Sequence, residues 1–313
     1  PATLALPYDL YTDTDLAQRT VYVETSRGCP FSCAYCTSAG TGLRLLPLSR
    51  LLPAFDRLWQ RGLRQFKFLD RSFNAPVAHA CAVLDFFLDR VTDATRLHLE
   101  IQADCLHPDV LKRLTAFPNE TLHLEVGVQT LTPHVAATIG RSPDTAHTLE
   151  NVRVLTQETG ATVHADLIFG LPGEDEAAFA RSFNKLVTVC APPKVQVNLL
   201  KGLPGTRFVR EAQRFGLVFN PEPPYELLYS DAMDFATLAR VQRFARCWEL
   251  VHNRGHFGEA CRRLRMLADG DPYACYQALT DHLSAAEGKL FAIARARLAV
   301  LLDDFLSAQS HEC

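Results

Sequence analysis

Apolar and polar residues alternate along Gln65-Phe66-Lys67-Phe68-Leu69 and again along Leu97-His98-Leu99-Glu100-Ile101. A period of two is that of a strand with one covered face. Val21 to Glu24, Leu122 to Val128, Thr162 to Phe169 and Lys194 to Leu200 are further strand segments. Between them apolar residues recur at helical spacing over Pro47 to Gln60, Val77 to Arg90, Pro108 to Phe117, Thr145 to Thr159 and Asp175 to Val189. Asp109 sits in the first turn of the third helix, and Gly160 stops the fourth. Strands alternating with helices predict an α/β fold with a parallel sheet and right-handed crossovers. An open doubly wound sheet would show the same alternation. A barrel is favoured because Cys29, Asp70, Gln102, Gln129 and Gly170 all fall just after strand ends, where β/α barrels build their sites.

Residues 1–20 are polar and Pro-containing and read as a lead-in linker. Residues 21–215 hold the strand–helix alternation. Pro221, Pro223 and Pro224 mark a break, after which Phe235–Val251, Gly258–Leu267, Pro272–His282 and Lys289–Leu306 predict a helical C-terminal region over 216–313.

The 313 residues are 48% apolar, enough for one barrel-sized domain and a smaller one. With 32 basic and 35 acidic residues the net charge is −3, which gives no broad footprint for a polyanion, so a nucleic-acid partner is not expected. No apolar run reaches the roughly 20 residues that span a bilayer, and no signal peptide is visible. The expected location is cytoplasmic. A reducing compartment also accommodates ten cysteines better than a disulfide framework does in a chain of this length.

Three of those cysteines change the picture. Cys29, Cys33 and Cys36 stand at C-x3-C-x2-C spacing in Glu24-Thr25-Ser26-Arg27-Gly28-Cys29-Pro30-Phe31-Ser32-Cys33-Ala34-Tyr35-Cys36. Closely spaced thiolates ligate iron–sulfur clusters and soft metals. Three ligands on a four-iron cubane leave one iron open to a small molecule. The competing readings are three buried thiols, or a zinc site, which usually wants four ligands. Cys247, Cys261 and Cys275 are spaced fourteen apart within predicted helices. A second cluster there is the sharper reading and buried thiols the favoured one.

The cysteine loop, with Tyr35 before its last cysteine, resembles the radical S-adenosylmethionine (SAM) superfamily. That resemblance implies a partial, six-stranded (β/α)6 barrel. It also implies a 4Fe–4S cluster whose open iron is chelated by the amino and carboxylate groups of SAM. Gly127-Val128-Gln129, Arg141 and Asp166 match SAM-contacting positions of the oxygen-independent coproporphyrinogen oxidase branch, and Glu100 matches a third-strand glutamate more loosely. Arg141 would pair with the SAM carboxylate, and Gln129, Asp166 and Glu100 would bond its amino and ribose groups. Ile168 to Glu174 resembles the fifth-strand element that packs near adenine, with Gly170 allowing close backbone approach. The usual Gly-Gly-Glu after the second strand is absent. Leu69-Asp70-Arg71-Ser72-Phe73-Asn74 stands in its place, as in members with a cobalamin-binding domain, and implies that Asp70 takes over part of the contact to the SAM amino group.

Three more stretches, Arg181–Asn184, Leu199–Thr206 and Pro223–Asp231, are similar to a bacterial group of cobalamin-type members with an unassigned C-terminal domain. In that group the cobalamin domain comes first, so it would precede Pro1, and the chain alone would be incomplete for its reaction. The expected activity is reductive cleavage of SAM to a 5′-deoxyadenosyl radical, serving cobalamin-dependent methylation. The alternatives are a cobalamin-independent member, such as a decarboxylase or methylthiotransferase, and a non-catalytic iron–sulfur electron carrier. The expected partners are a small-molecule or peptide substrate and a flavodoxin- or ferredoxin-type electron donor.

Overall fold

The computed structural model describes residues 5–309. Six parallel strands form one sheet in sequential order: β1 (Val21–Val23), β2 (Gln65–Phe68), β3 (Arg96–Ile101), β4 (Leu122–Gln129), β5 (Thr162–Phe169) and β6 (Lys194–Leu199). Five crossover helices accompany them: α1 (Leu48–Gln60), α2 (Val77–Leu88), α3 (Pro108–Thr115), α4 (Thr145–Gln157) and α5 (Glu176–Lys185). Because β1 and β6 do not pair, the barrel is partial and open.

The alternation along each strand separates two environments. On β5, Val163, Ala165, Leu167 and Phe169 are buried under the helices, while His164, Asp166 and Ile168 are half-buried on the other face. The outer face holds the core. Phe55 of α1, Phe66 and Phe68 of β2 and Phe87 of α2 meet with ring centroids 4.9–6.1 Å apart. Edge-on and tilted ring packing of this kind adds to simple area burial. The inner face carries Lys67, His98, Glu100, Glu125, His164 and Asp166, so the barrel encloses a polar lumen instead of a packed interior.

Residues 5–20 are not a bare linker; residues 1–4 lie outside the described residues. Pro7–Leu10 is a 3-10 turn, and Asp13–Gln18 is a helix begun by a reciprocal cap between Thr12 and Asp15. Tyr8 is buried against Phe55, and its hydroxyl accepts from Glu24 N (2.9 Å) and lies 3.1 Å from Glu24 O. One aromatic anchor and one capping box, both inside a polar stretch, order what composition alone makes look like linker.

After β6 an antiparallel hairpin, Leu217–Phe219 with Leu227–Ser230, precedes four helices: α6 (Phe235–Trp248), α7 (Gly258–Leu267), α8 (Pro272–Glu287) and α9 (Arg295–Gln309). The hairpin was not expected from the sequence, because its strands are short and flank a proline-rich turn. Phe183 of α5 packs edge-on against Phe244 (5.0 Å) and Trp248 (4.8 Å) of α6. Both α5 and α6 run on into a π-helical turn, Leu186–Cys190 and Glu249–Asn253. From the second turn, Asn253 accepts from Val195 N (3.1 Å) and donates to Val195 O (2.9 Å), occupying the free edge of β6. No described helix is long and apolar enough to cross a membrane.

Candidate functional site

The cysteine loop leaves β1 and folds over the C-terminal ends of the strands. Gly28, just before Cys29, has φ +87°, and a side chain there would collide with the Gly42 carbonyl. Gly140 has φ +80° and lies against Ser32, while Ala34 N donates to Ile139 O at 2.9 Å. These two glycines let the loop close on itself and then dock on the turn after β4.

Asp70 is 1% exposed and fixes the start of the loop. Its carboxylate accepts from Thr25 N (2.9 Å), Thr25 Oγ1 (2.6 Å) and Ser26 Oγ (2.6 Å). Burial nonetheless pushes its pKa up against those bonds. The expected contact of Asp70 with SAM is therefore not supported by its placement. The side chain faces the loop backbone, its acceptors are used, and it does not line the cavity described next. Asn74 has a similar tying role: it donates to Gln102 O (2.9 Å) and accepts from Gln102 N (2.8 Å).

A cavity of about 430 Å³ opens beneath the loop. Cys29, Cys33 and Cys36 line it, together with Tyr35, Glu100, Gln129, Arg141 and Asp166. All three cysteines are free thiols. Among the described residues no group of three or more His, Cys, Asp or Glu is placed to hold a single metal ion. A cubane asks for something else, since each thiolate takes a different iron around a shared space.

Arg141 is the buried charge of this cavity. Its side chain is 6% exposed; Nη2 donates to Gly127 O at 2.7 Å, and Nε lies 3.3 Å from Asp104 Oδ2. Burial opposes its charge, but Tyr35, Asp104 and Cys33 outweigh that and push its pKa up. Part of the guanidinium fork is thus held by the protein. Gln102 Nε2 is buried without a hydrogen-bond partner among the described residues, whereas Arg141 Nε is turned to Asp104. An unpaired buried donor beside three thiols fits a site completed by a ligand with acceptor oxygens.

Gln129 reaches the cavity through a bulge. The β4–β5 register shifts between Gly127 and Gln129, and Gln129 has φ +69°. A bulge of this kind re-aims a side chain at a strand end. Gly127 has no side chain where the Gln129 amide (2.5 Å from the Cβ position) and the Arg141 guanidinium (3.7 Å) lie above it.

The acids sit one layer deeper. Glu100 and Glu125 are register partners on β3 and β4, as are Gly127 and Asp166 on β4 and β5. His98 Nε2 lies 2.7 Å from Glu125 and Lys67 Nζ 4.0 Å from it; the imidazole, with Lys67 beyond, holds Glu125 below the usual carboxylate range. Glu100 is 3.4 Å from Arg71, yet burial raises its pKa. Asp166 accepts no hydrogen bond among the described residues, and burial, then Glu125 and Glu100, push it up to about 7. Gly170 lies elsewhere. Its α-carbon faces Leu227 and Leu238 of the C-terminal region, where the expected approach to adenine finds apolar packing.

Two residues of the site escaped the sequence, one beside the cavity and one lining it. Asp104 lies on a short 3-10 turn (Ala103–Cys105) with no periodic signal, and Glu125 looked like any polar strand position. The alternation that placed His98 and Glu100 on one face places Glu125 as well. Cys247, Cys261 and Cys275 behave as thiols: Cys261 donates to Val251 O (3.4 Å) and Cys275 to Leu264 O (3.6 Å), and burial pushes Cys247 up to about 12.

Residues 23–186 match the family model described as "Radical SAM superfamily", and residues 213–312 match "Protein of unknown function (DUF4080)". No curated protein matches the chain. Among solved structures, the radical SAM methyltransferase TsrM from Kitasatospora setae, with cobalamin and a 4Fe–4S cluster bound, is similar with TM-score 0.56 and 20% identity, over 70% of this chain and 43% of that one. The cobalamin-dependent SAM radical enzyme OxsB, with aqua-cobalamin and SAM bound, is similar with TM-score 0.60 and 14% identity, over 93% of this chain and 50% of that one. The chain spans half or less of the length of both proteins. At such identity the likeness is one of fold.

Proposed function

Because the chain belongs to the radical SAM superfamily, we propose that it cleaves SAM reductively at a 4Fe–4S cluster and directs the resulting radical chemistry to cobalamin-dependent methylation. The observation that carries this reading is the single cavity lined by Cys29, Cys33, Cys36, Gln129, Arg141 and Asp166. Held there, a 4Fe–4S cluster would supply the one electron that reductive cleavage of a carbon–sulfur bond of SAM requires.

The chain's own residues hold and orient. The thiolates of Cys29, Cys33 and Cys36 would hold three irons of such a cluster and leave the fourth for SAM. Arg141, fixed by Gly127 and Asp104, presents positive charge beside Cys33, which suits the SAM carboxylate. Gln129 and Glu100 offer bonding groups to the amino and ribose ends. Asp166, poised near 7 and unpaired, can accept from a hydroxyl. The lumen below, continuing past Asn198 and Lys201, leaves room for a small-molecule or peptide substrate. The cysteine loop above limits water. Electrons would come from a flavodoxin- or ferredoxin-type donor. The cobalamin step draws support from the two cobalamin-bound structures that share the fold, and from the Asp70–Asn74 and Pro223–Asp231 resemblance.

The test is anaerobic reconstitution with iron and sulfide, then dithionite and SAM, with 5′-deoxyadenosine measured by mass spectrometry. With the full natural chain, cobalamin domain included, added cobalamin should bind and take up label from methyl-labelled SAM. Cluster formation without SAM cleavage would leave only an electron carrier and overturn the proposal. Cleavage with no cobalamin binding or labelling would retain the radical SAM reading and remove the methylation step.

A further inference from the structure

The turn that carries Gln129 is held in a backbone conformation that side-chain-bearing residues rarely adopt. Gln129 has φ +69°, and Thr130 N donates to Val128 O at 2.9 Å across it. A bond from the residue after to the residue before closes a γ-turn, and at positive φ that turn is the rare and strained form. Such strain persists only where the surroundings over-determine it. Here the surroundings come from the turn after β5 and from α5. Thr130 Oγ1 donates to Glu174 Oε1, and Thr132 Oγ1 donates to the same oxygen at 3.2 Å. Leu131 N donates to Ser182 Oγ of α5 at 3.1 Å. The three residues that follow Gln129 are thus each tied to one of two buried side chains, Glu174 and Ser182.

A carboxylate is unfavourable where Glu174 stands. The residue is 0% exposed and its Oε2 has no hydrogen-bond partner among the described residues. Burial outweighs the two hydroxyls and raises its pKa to about 7. An apolar side chain would carry no such penalty. Glu174 does not line the cysteine cavity, so any effect it has on a ligand there passes through the turn. We propose that Glu174 is the positioning residue for Gln129. By holding Thr130 and Thr132 it keeps the γ-turn closed and the Gln129 amide over Gly127 beside Arg141, and so sets the affinity for SAM. Gly127 leaves open the space which that amide fills. With the turn relaxed, Gln129 would return to negative φ and its side chain would swing away from Gly127. This role rests on the SAM site proposed above.

The experiment is equilibrium dialysis of SAM against the whole reconstituted chain, with amide exchange followed on the chain before reconstitution. Thr130→Val removes the donating hydroxyl at nearly the same shape, and Glu174→Ala removes its acceptor. Each should weaken SAM about tenfold, the worth of one hydrogen bond. Each should also speed exchange at the amide that follows Gln129. Thr130→Ser restores the hydroxyl and should bring affinity back to within about twofold of the parent. In a Gln129→Ala background neither substitution should weaken SAM further, because the group through which they act is gone. Unaltered affinity or unaltered exchange in Thr130→Val would overturn the proposal. So would a loss that persists in the Gln129→Ala background, or one that Thr130→Ser does not reverse, since the effect would then run through the fold at large. A parent that binds no SAM would overturn the reading of the site itself, whereas a parent that binds SAM no better than these variants would overturn the role of Glu174 alone.

Discussion

Arg141 is the buried cation of the site. It is nearly sealed from water and anchored by Asp104 and Gly127. Arg141→Ala should weaken SAM binding by about 1.5–3 kcal/mol, the range for hydrogen bonds to charged groups, measured by equilibrium dialysis against reconstituted protein. It should also lower stability, because Asp104 is left buried without its counter-charge. Asp166 makes a prediction about pH. Its folded pKa, about 7, lies above its ordinary value of 3.8. The folded state therefore binds more protons than the unfolded one between those values, and stability falls as pH rises from about 4 to 7. Above 7 the cost is fully present. Asp166→Asn should gain midpoint in urea relative to the parent at pH 8 and show little gain at pH 4. Glu174, buried and also raised to about 7, acts in the same direction and should remain visible in the Asn variant.

At the scale of elements, the cysteine loop depends on what lies under it. Gly140→Ala would place a methyl 2.9 Å from the Ser32 carbonyl at a positive φ. We expect a loss of about 1–3 kcal/mol in denaturant unfolding, and a cluster that is lost faster to a chelator as the loop lifts. Much of this element was legible in the sequence. The three cysteines and Glu100, each read from the sequence as site residues, line one cavity. The reading went wrong at Asp70. Position after a strand end suggested a ligand contact, whereas three local hydroxyl and amide donors turn the side chain into a structural tie. Sequence order does not reveal which of two nearby groups claims a carboxylate. Asp104 was invisible for a related reason, because its meaning depends on Arg141 arriving from beyond another strand. Residues 5–20 were misjudged because two short devices, an aromatic anchor and a cap, carry no period.

At the scale of the whole molecule, the C-terminal region substitutes for missing barrel wall. The last strand ends against one side chain, Asn253, which satisfies both polar groups of Val195. Asn253→Ala should cost about 1–3 kcal/mol, seen in urea unfolding, and should speed amide exchange at Val195. Unpaired strand edges also invite association, so the variant should aggregate sooner on warming than the parent. Phe183, Phe244 and Trp248 weld the two regions together from opposite sequence segments. That junction was not legible from periodicity, which places aromatics on a face without saying which partner they meet.

The two-sided strands have a further consequence. The apolar outer residues hold the fold, while Lys67, His98, Glu125, His164 and Gln196 lie on the inner face and none of them is fully buried. Surface-like positions tolerate exchange with small effect on folding. The chain therefore keeps its architecture on the outer set of residues, and Glu100, Glu125 and Asp166, which line the cysteine cavity, on the inner one. We expect single substitutions on the inner face to alter what that cavity accepts without first costing the ability to fold.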